Sequence, residues 1–161
     1  MDWSSQVVVN ASPLIVLCKS GQVKLLPKLF SRIVVPQAVY QEITSTKADS
    51  AAIQLPTLAW INVVTPAINP AILAWDLGAG ESAVLSFALA NPKFRAMVDD
   101  AAARRCARSL NIPTIGTGGA LVLAKRRGLI PAVAEPLQAL RDAGLWISED
   151  VMTLLKHQAG E

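Results

Sequence analysis

Two polar side chains directly follow short apolar runs that have the character of buried strands. Asn10 comes after Gln6–Val9, and Asp99 comes after Arg95–Val98. In sheets of parallel strands, ligands bind in the crevice at the carboxyl ends of the strands, so these two positions are the first place to look for chemistry. Amide and carboxylate oxygens at such an edge are typical ligands of hard divalent cations.

Two glutamates lie among apolar residues at helical spacing. Glu81 begins an apolar helix, and Glu42 follows Val39 by three residues, so both carboxylates are predicted to point inward. A carboxylate removed from water is unstable unless a cation compensates its charge. Each acid alone could be a surface or helix-dipole residue, and Asp99 with Asp100 a turn and cap, but their convergence favours a metal site.

The elements that must position these residues alternate between strands and helices. Ser12 followed by Pro13 is typical of an N-cap and first helical position, which predicts a helix soon after the first strand. Segment 44–69 has the weakest pattern, and two helices are expected at the carboxyl end. The predicted strands are Gln6–Val9, Arg32–Val35, Trp60–Val64, Arg95–Val98 and Ile112–Ile115.

This alternation predicts an α/β fold, a three-layer α/β/α sandwich with a central parallel sheet. Residues 1–161 are expected to form one domain, with the helices in about 131–161 packing on it or extending it. A chain of 161 residues with 52% hydrophobic residues can bury one sizeable core but has no room for two full domains.

Composition excludes several other classes of protein. The two cysteines lack the spacing of a zinc or redox site, which favours a reducing compartment. The amino-terminal residues do not resemble a secretory signal, and no apolar stretch reaches the roughly 20 residues of a membrane span. We therefore expect a cytoplasmic protein with no membrane segment, and the net charge of +3 is only a mild indication of a polyanionic partner.

Other conspicuous residues receive structural interpretations. His157 is the only histidine and lies near the carboxyl end, so a histidine base is disfavoured. The loop 116–119 lacks the glycine spacing of a dinucleotide site. The cations at 125–127 are interpreted as a solvated helix end, and core or interface packing is expected for Trp60, Trp75 and Trp146.

Several motifs occur in a fixed order along the chain. They are Asn-x-Ser-Pro-Leu-Ile at 10–15, Val-x-Pro-x-x-Val-x-x-Glu at 34–42, Leu-Gly-x-Gly-Glu at 77–81, the paired aspartates before an arginine-rich helix at 99–108, and Ile-Pro-Thr-Ile-Gly-Thr at 112–117. In these motifs the chain resembles the PIN-domain family of metal-dependent ribonucleases, especially a subgroup related to VapC-type toxin ribonucleases. The resemblance covers nearly the whole chain.

This resemblance implies a divalent-metal-dependent endoribonuclease that uses Mg²⁺ or Mn²⁺, plausibly the toxin of a toxin–antitoxin pair. It implies that Asn10, Glu42, Glu81 and Asp99 are catalytic, and that Glu42, Glu81, Asp99 and Asp100 hold metal. Most active PIN nucleases carry aspartate where this chain has Asn10. The lost charge should lower metal affinity, so a weak or inactive PIN-like module that binds nucleic acid or protein stays open as the alternative.

The substrate implied by the resemblance is RNA. Arg104, Arg105 and Arg108 lie together on a helix and could bind its phosphates, although Arg104 could instead pair with Asp100. Ser12 is expected to organise the site, and Thr117 to face the crevice at a helix N-terminus that could hold a phosphate or be plainly capped. The apolar composition also predicts a homo-oligomer, a dimer, or a small antitoxin as partner.

Overall fold

The computed structural model describes residues 6–45 and 49–161. Within them, five strands form one parallel sheet in the order β3-β2-β1-β4-β5. The strands are β1 Gln6–Val9, β2 Arg32–Pro36, β3 Ile61–Val64, β4 Arg95–Met97 and β5 Thr114–Ile115. Helices flank this sheet, so the predicted three-layer α/β/α sandwich is confirmed.

Ten α-helices lie in the described ranges, with a 3-10 turn at Leu55–Thr57. They are α1 Ala11–Lys19, α2 Leu25–Leu29, α3 Gln37–Thr44, α4 Ser50–Gln54, α5 Pro70–Leu73, α6 Ala79–Ala90, α7 Ala101–Ser109, α8 Thr117–Arg126, α9 Ala134–Asp142 and α10 Glu149–Gln158. None of these described helices is long and apolar enough to cross a bilayer.

The central strand explains why the site lies where it does. Val7, Val8 and Val9 of β1 are completely buried, as expected for a β-branched strand covered on both faces. Because all the strands are parallel, their carboxyl ends share one edge of the sheet. The backbone N–H of Asn10 donates to Met97 O at 3.1 Å, which ties the end of β1 to the end of β4.

The start of the first helix differs from its prediction. Helix α1 begins at Ala11, and Asn10 occupies the N-cap position with an extended backbone, φ −82° and ψ 171°. The interpretation of Ser12 as N-cap is therefore wrong, and Ser12 is an exposed residue of the first turn. Local sequence did not distinguish Asn10 from Ser12 as the cap, because both residue types favour that position.

Two short helices, one in the weakly patterned segment 44–69 and one directly after it, were not predicted. Helix α4 begins after Asp49, whose carboxylate accepts from Ala51 N at 2.9 Å. Helix α5 begins after Asn69, whose side chain accepts from Ala71 N at 2.9 Å. Residues 46–48 of this segment lie outside the described residues. Such short helices depend on capping and packing, which periodicity does not reveal.

The cations at the end of α8 are exposed or half-buried, in agreement with a solvated helix end, but they also donate hydrogen bonds to backbone carbonyls. Lys125 Nζ donates to Ala159 O at 2.8 Å, and Arg126 donates through Nε and Nη2 to Gln158 O at 3.1 and 2.7 Å. Arg127 Nη1 donates to Leu29 O at 2.9 Å. The bonds of Lys125 and Arg126 hold the end of α10 against α8, and the bond of Arg127 links α8 to the end of α2.

Candidate metal and nucleic-acid site

Asn10 carries the most unusual atom of the site. The residue is only 5% exposed, and within the described part of the chain its Oδ1 is buried without a hydrogen-bond partner. Buried polar atoms are nearly always paired, and leaving one unpaired costs about 1–3 kcal/mol. An oxygen kept in this state at the end of a central strand is suited to accept from, or coordinate, something that enters the site.

Gly80 provides the space in which Asn10 and Glu42 meet. An ideal Cβ on Gly80 would lie 3.1 Å from Glu42 Oε1 and 3.3 Å from Asn10 Oδ1. Helix α3, which carries Glu42, packs against α6, which begins with Ala79. Because Gly80 has no side chain, both oxygens can approach the backbone of α6 in its first turn.

Glu42 and Glu81 are electrostatically coupled. Desolvation and, secondarily, the negative charge of Glu81 raise the pKa of Glu42 above its usual value. Residue Glu42 is nevertheless exposed, because Val39 and Ile43 take the buried side of α3. The prediction that Glu42 lies on a buried face is therefore wrong for the residue as a whole, but its Oε1 turns inward, close to the buried Gly80 of α6. Two repelling carboxylates near an unpartnered amide oxygen concentrate negative charge that a cation would offset.

Asp99 is held by a separate set of bonds on the other side of β1. Its Oδ1 accepts from Thr117 N at 2.8 Å, and its Oδ2 accepts from Thr117 Oγ1 at 2.6 Å. Thr117 is completely buried and is the first residue of α8. Asp99 therefore joins the end of β4 to the start of α8, and its carboxylate has one fixed orientation.

The three arginines of α7 have different surroundings. Arg104 Nη1 donates to Val98 O at 3.1 Å, and an ideal Cβ on Gly116 would lie 3.2 Å from both this nitrogen and Asp99 Oδ1. Arg104 thus turns toward Asp99 and not toward Asp100, the pairing that the sequence left open. Arg105 and Arg108 are exposed on the same helix.

Asp100 acts as the N-cap of α7. Its Oδ2 accepts from Ala103 N at 2.9 Å, which is the capping role that the sequence left open beside metal binding. The predicted acids therefore separate into two groups along one edge of the sheet: Glu42 and Glu81 with Asn10, and Asp99 with Thr117 and Arg104.

The first of these groups offers donor types that hard divalent cations prefer. In residues 6–45 and 49–161, no three His, Cys, Asp or Glu side chains are grouped so that they could hold one metal ion. The fit depends on the amide oxygen of Asn10, which adds a neutral donor to Glu42 and Glu81. Three oxygen donors, two of them carboxylates, match the preference of Mg²⁺ and Mn²⁺ for oxygen ligands completed by water.

Rival nucleophiles are poorly placed. Burial and the charge of Asp49 raise the pKa of the Cys18 thiol to about 11, so it is protonated at neutral pH. Burial also raises the pKa of Cys106. His157 is exposed on α10. These positions leave oxygen-donor chemistry at the sheet edge as the best-supported mechanism.

Trp146 is a site residue that the sequence interpretation missed. Its expected packing in a core or interface is not found within this chain, since the side chain is 84% exposed. It lines a cavity of about 470 Å³ together with Asp99 and Arg104. Trp146 lies between Gly144, which has a positive φ, and Ser148, the N-cap of α10. Residues of these two types on either side of it could have predicted a surface loop.

A family model described as a PIN domain matches residues 6–161. The chain belongs to the PIN-domain family. The match spans all but the first five residues, so the predicted family is confirmed, whereas the VapC-related subgroup stays a prediction. A search of curated proteins found no match. The PIN domain is a nuclease-type fold that generally uses divalent metals, in agreement with an oxygen-rich sheet edge.

The charge repulsion in this PIN-domain site makes a prediction about pH. Because the pKa of Glu42 is raised in the folded protein, ionising it disfavours folding, and this cost grows as pH rises through that pKa. Without metal, Glu42→Gln should therefore be slightly more stable than the original chain at about pH 7, by less than about 1 kcal/mol because the residue is exposed. The advantage should vanish near pH 4.

Urea unfolding in EDTA at both pH values measures this difference. Glu135→Gln is the matched control, since Glu135 is an exposed glutamate on α9. A Glu42→Gln variant that is less stable than the original chain at neutral pH would contradict the proposed repulsion.

Proposed function

We propose that this PIN-domain protein is a divalent-metal-dependent endoribonuclease. The observation that carries the proposal is the buried, unpartnered Oδ1 of Asn10. This oxygen and Glu42 Oε1 both lie close to Gly80, and Glu42 is electrostatically coupled to Glu81. Grouping these oxygens costs folding free energy unless a cation binds between them. Mg²⁺ or Mn²⁺ is the ion that the donors suit.

Each residue of the site has a proposed role. Asn10, Glu42 and Glu81 would hold the ion, and Asp99 would extend the ligand set from the neighbouring strand. The chemistry that a bound ion supplies is activation of a water and neutralisation of charge on the phosphate. Asp100 is better supported as a cap than as a ligand, because its carboxylate is already bonded to the start of α7.

RNA binding would use the surface next to these acids. Ser12, Arg105 and Arg108 are exposed and available to phosphate oxygens. Arg104 has one N–H bonded to Val98 O and further donors left for substrate. Thr117 is buried, so we assign it a positioning role through its two bonds to Asp99 in place of direct contact with RNA.

Cleavage of an internally labelled, mixed-sequence RNA tests this function. We expect products with 5′-phosphate and 3′-hydroxyl ends in Mn²⁺ or Mg²⁺, and none in EDTA. The test requires that activity copurify with the protein and return when metal is restored. Cleavage that persists in EDTA, or yields 2′,3′-cyclic phosphate ends, would indicate a different chemistry and refute the proposal.

A non-catalytic PIN-like binding module is the second candidate. The neutral Asn10 and the separation of Asp99 from the two glutamates favour it, because both weaken metal binding. RNA binding that does not depend on metal, with no cleavage, would select this alternative.

The proposed toxin role adds a protein partner, either a small antitoxin or a second copy of the chain. Ile68 and Leu73 support such a partner, since they are 41% and 63% exposed beside a cavity of about 490 Å³. Co-expression with a small neighbouring open reading frame would test the toxin role.

A further inference from the structure

The cavity beside Asp99 has charged and apolar lining residues. Asp99 and Arg104 supply the charges, and three apolar side chains come from α10 and the loop before it, Trp146, Val151 and Leu154. These three are 84%, 42% and 52% exposed. A cavity lined by both charged and aromatic side chains is suited to an amphipathic ligand.

Helix α10, which carries part of the apolar lining, is held firmly against α8. An ideal Cβ on Gly118 would lie 2.7 Å from Leu155 Cδ1, so α10 packs directly on the backbone of α8. Ser148 caps α10 by accepting from Val151 N at 3.2 Å, and the cations at the end of α8 bind the last carbonyls of α10. The loop that carries Trp146 is therefore anchored by α10, and the indole itself is 84% exposed and accessible to a ligand.

We propose that this cavity binds a nucleobase of single-stranded RNA, stacked on the indole of Trp146, while Arg104 contacts the phosphate of the same strand. This inference rests on the proposed function, since it places the base beside a phosphate held at the Asp99 edge. Every base has a flat face that stacks on an aromatic side chain, so the pocket binds without strong sequence preference.

The charges of the cavity favour a nucleotide over a protein partner. Asp99 and Arg104 both line the cavity, and Arg104 keeps N–H donors for a phosphate. The exposed indole of Trp146 offers a flat face to a base, so the phosphate and the base of one nucleotide each find a partner among the lining residues.

The test is a thermodynamic cycle on RNA binding by the full chain. Affinity for a fluorescent oligouridylate is compared with affinity for an abasic ribose-phosphate strand of the same length, in EDTA so that the RNA stays intact. Trp146→Ala should bind oligouridylate about 10-fold more weakly or worse, equivalent to at least about 1.4 kcal/mol. It should bind the abasic strand as the original chain does.

Two further variants complete the cycle. Trp146→Phe keeps an aromatic ring and should retain most of the affinity. Trp75→Ala is the matched control, because Trp75 is 39% exposed and lines neither of the two cavities described above. Since Trp146 is so exposed, Trp146→Ala should unfold at the same temperature as the original chain.

Each result has one meaning. Unchanged affinity for oligouridylate in Trp146→Ala, an equal loss for both strands, or no RNA binding by the original chain would each overturn the inference. A change in sedimentation coefficient without a change in RNA affinity would overturn it in favour of a protein interface. RNA cleavage with unchanged Trp146→Ala binding refutes the base pocket alone, and Trp146-dependent base binding without cleavage refutes the nuclease alone.

Discussion

Replacing Glu81 with glutamine is expected to lower Mn²⁺-dependent RNA cleavage by about 100-fold or more, the order of loss seen when one group that stabilises transition-state charge is removed. The substitution keeps the size of the side chain but replaces one acceptor oxygen by an NH₂ donor and removes one of the two carboxylate charges of the Glu42–Glu81 pair. Burial is the larger cause of the raised pKa of Glu42 and the charge of Glu81 the smaller, so removing the Glu81 charge should leave the fold as stable as before or slightly more stable. Loss of activity with retained stability would therefore report on chemistry.

Initial cleavage rates at saturating Mn²⁺ and thermal unfolding in EDTA measure the two quantities. Glu135→Gln is the matched control, because Glu135 also lies in the first turn of a helix and is exposed. Equal rates for Glu81→Gln and Glu135→Gln would place the chemistry elsewhere.

Replacing Asn10 with aspartate changes metal affinity and stability in opposite directions. The position is 5% exposed and lies against Glu42, so a second charge there destabilises the metal-free protein by about 1–3 kcal/mol or more. With an ion bound, the same carboxylate becomes a charged ligand in place of a neutral one. We expect Mn²⁺ affinity to rise about 10-fold or more, in line with the gain from a stronger ligand.

Denaturant unfolding with EDTA and over a Mn²⁺ series measures both effects, since a ligand of the folded state raises its apparent stability. Asn69→Asp is the matched control: Asn69 also occupies an N-cap position, but its oxygen already accepts from Ala71 N. An Asn10→Asp variant that is destabilised equally with and without Mn²⁺ would argue against an ion at this position.

The sequence predicted the edge of the sheet at which the site lies, because strand periodicity located the ends of β1 and β4. Asn10 and Asp99 follow from that pattern, and the alternation of elements predicted the parallel sheet. Glu42 was placed on the correct helix, but apolar neighbours at helical spacing did not reveal that the residue is exposed while its Oε1 turns toward Gly80. The position of this carboxylate depends on the contact between α3 and α6.

Tertiary contacts between distant segments could not be predicted from local sequence patterns. Thr117 binds Asp99 across 18 positions, and Lys125 binds Ala159 across 34. The unpartnered oxygen of Asn10 becomes visible only when every neighbour has been placed. Trp146 was assigned to core or interface packing because the tryptophans lack the regular spacing of a base-stacking platform, and only the folded chain shows that it lines one cavity with Asp99.

Direct binding of Mn²⁺ to the isolated protein tests the central claim most plainly. The electron paramagnetic resonance signal of free Mn²⁺ disappears as the ion binds, so a titration reports affinity without RNA or catalysis. The original chain and Glu135→Gln should bind Mn²⁺ saturably, whereas Glu42→Gln and Glu81→Gln should bind it far more weakly. Equal binding by all four proteins, or no binding by the original chain, would contradict the assignment of Asn10, Glu42 and Glu81 as the metal site.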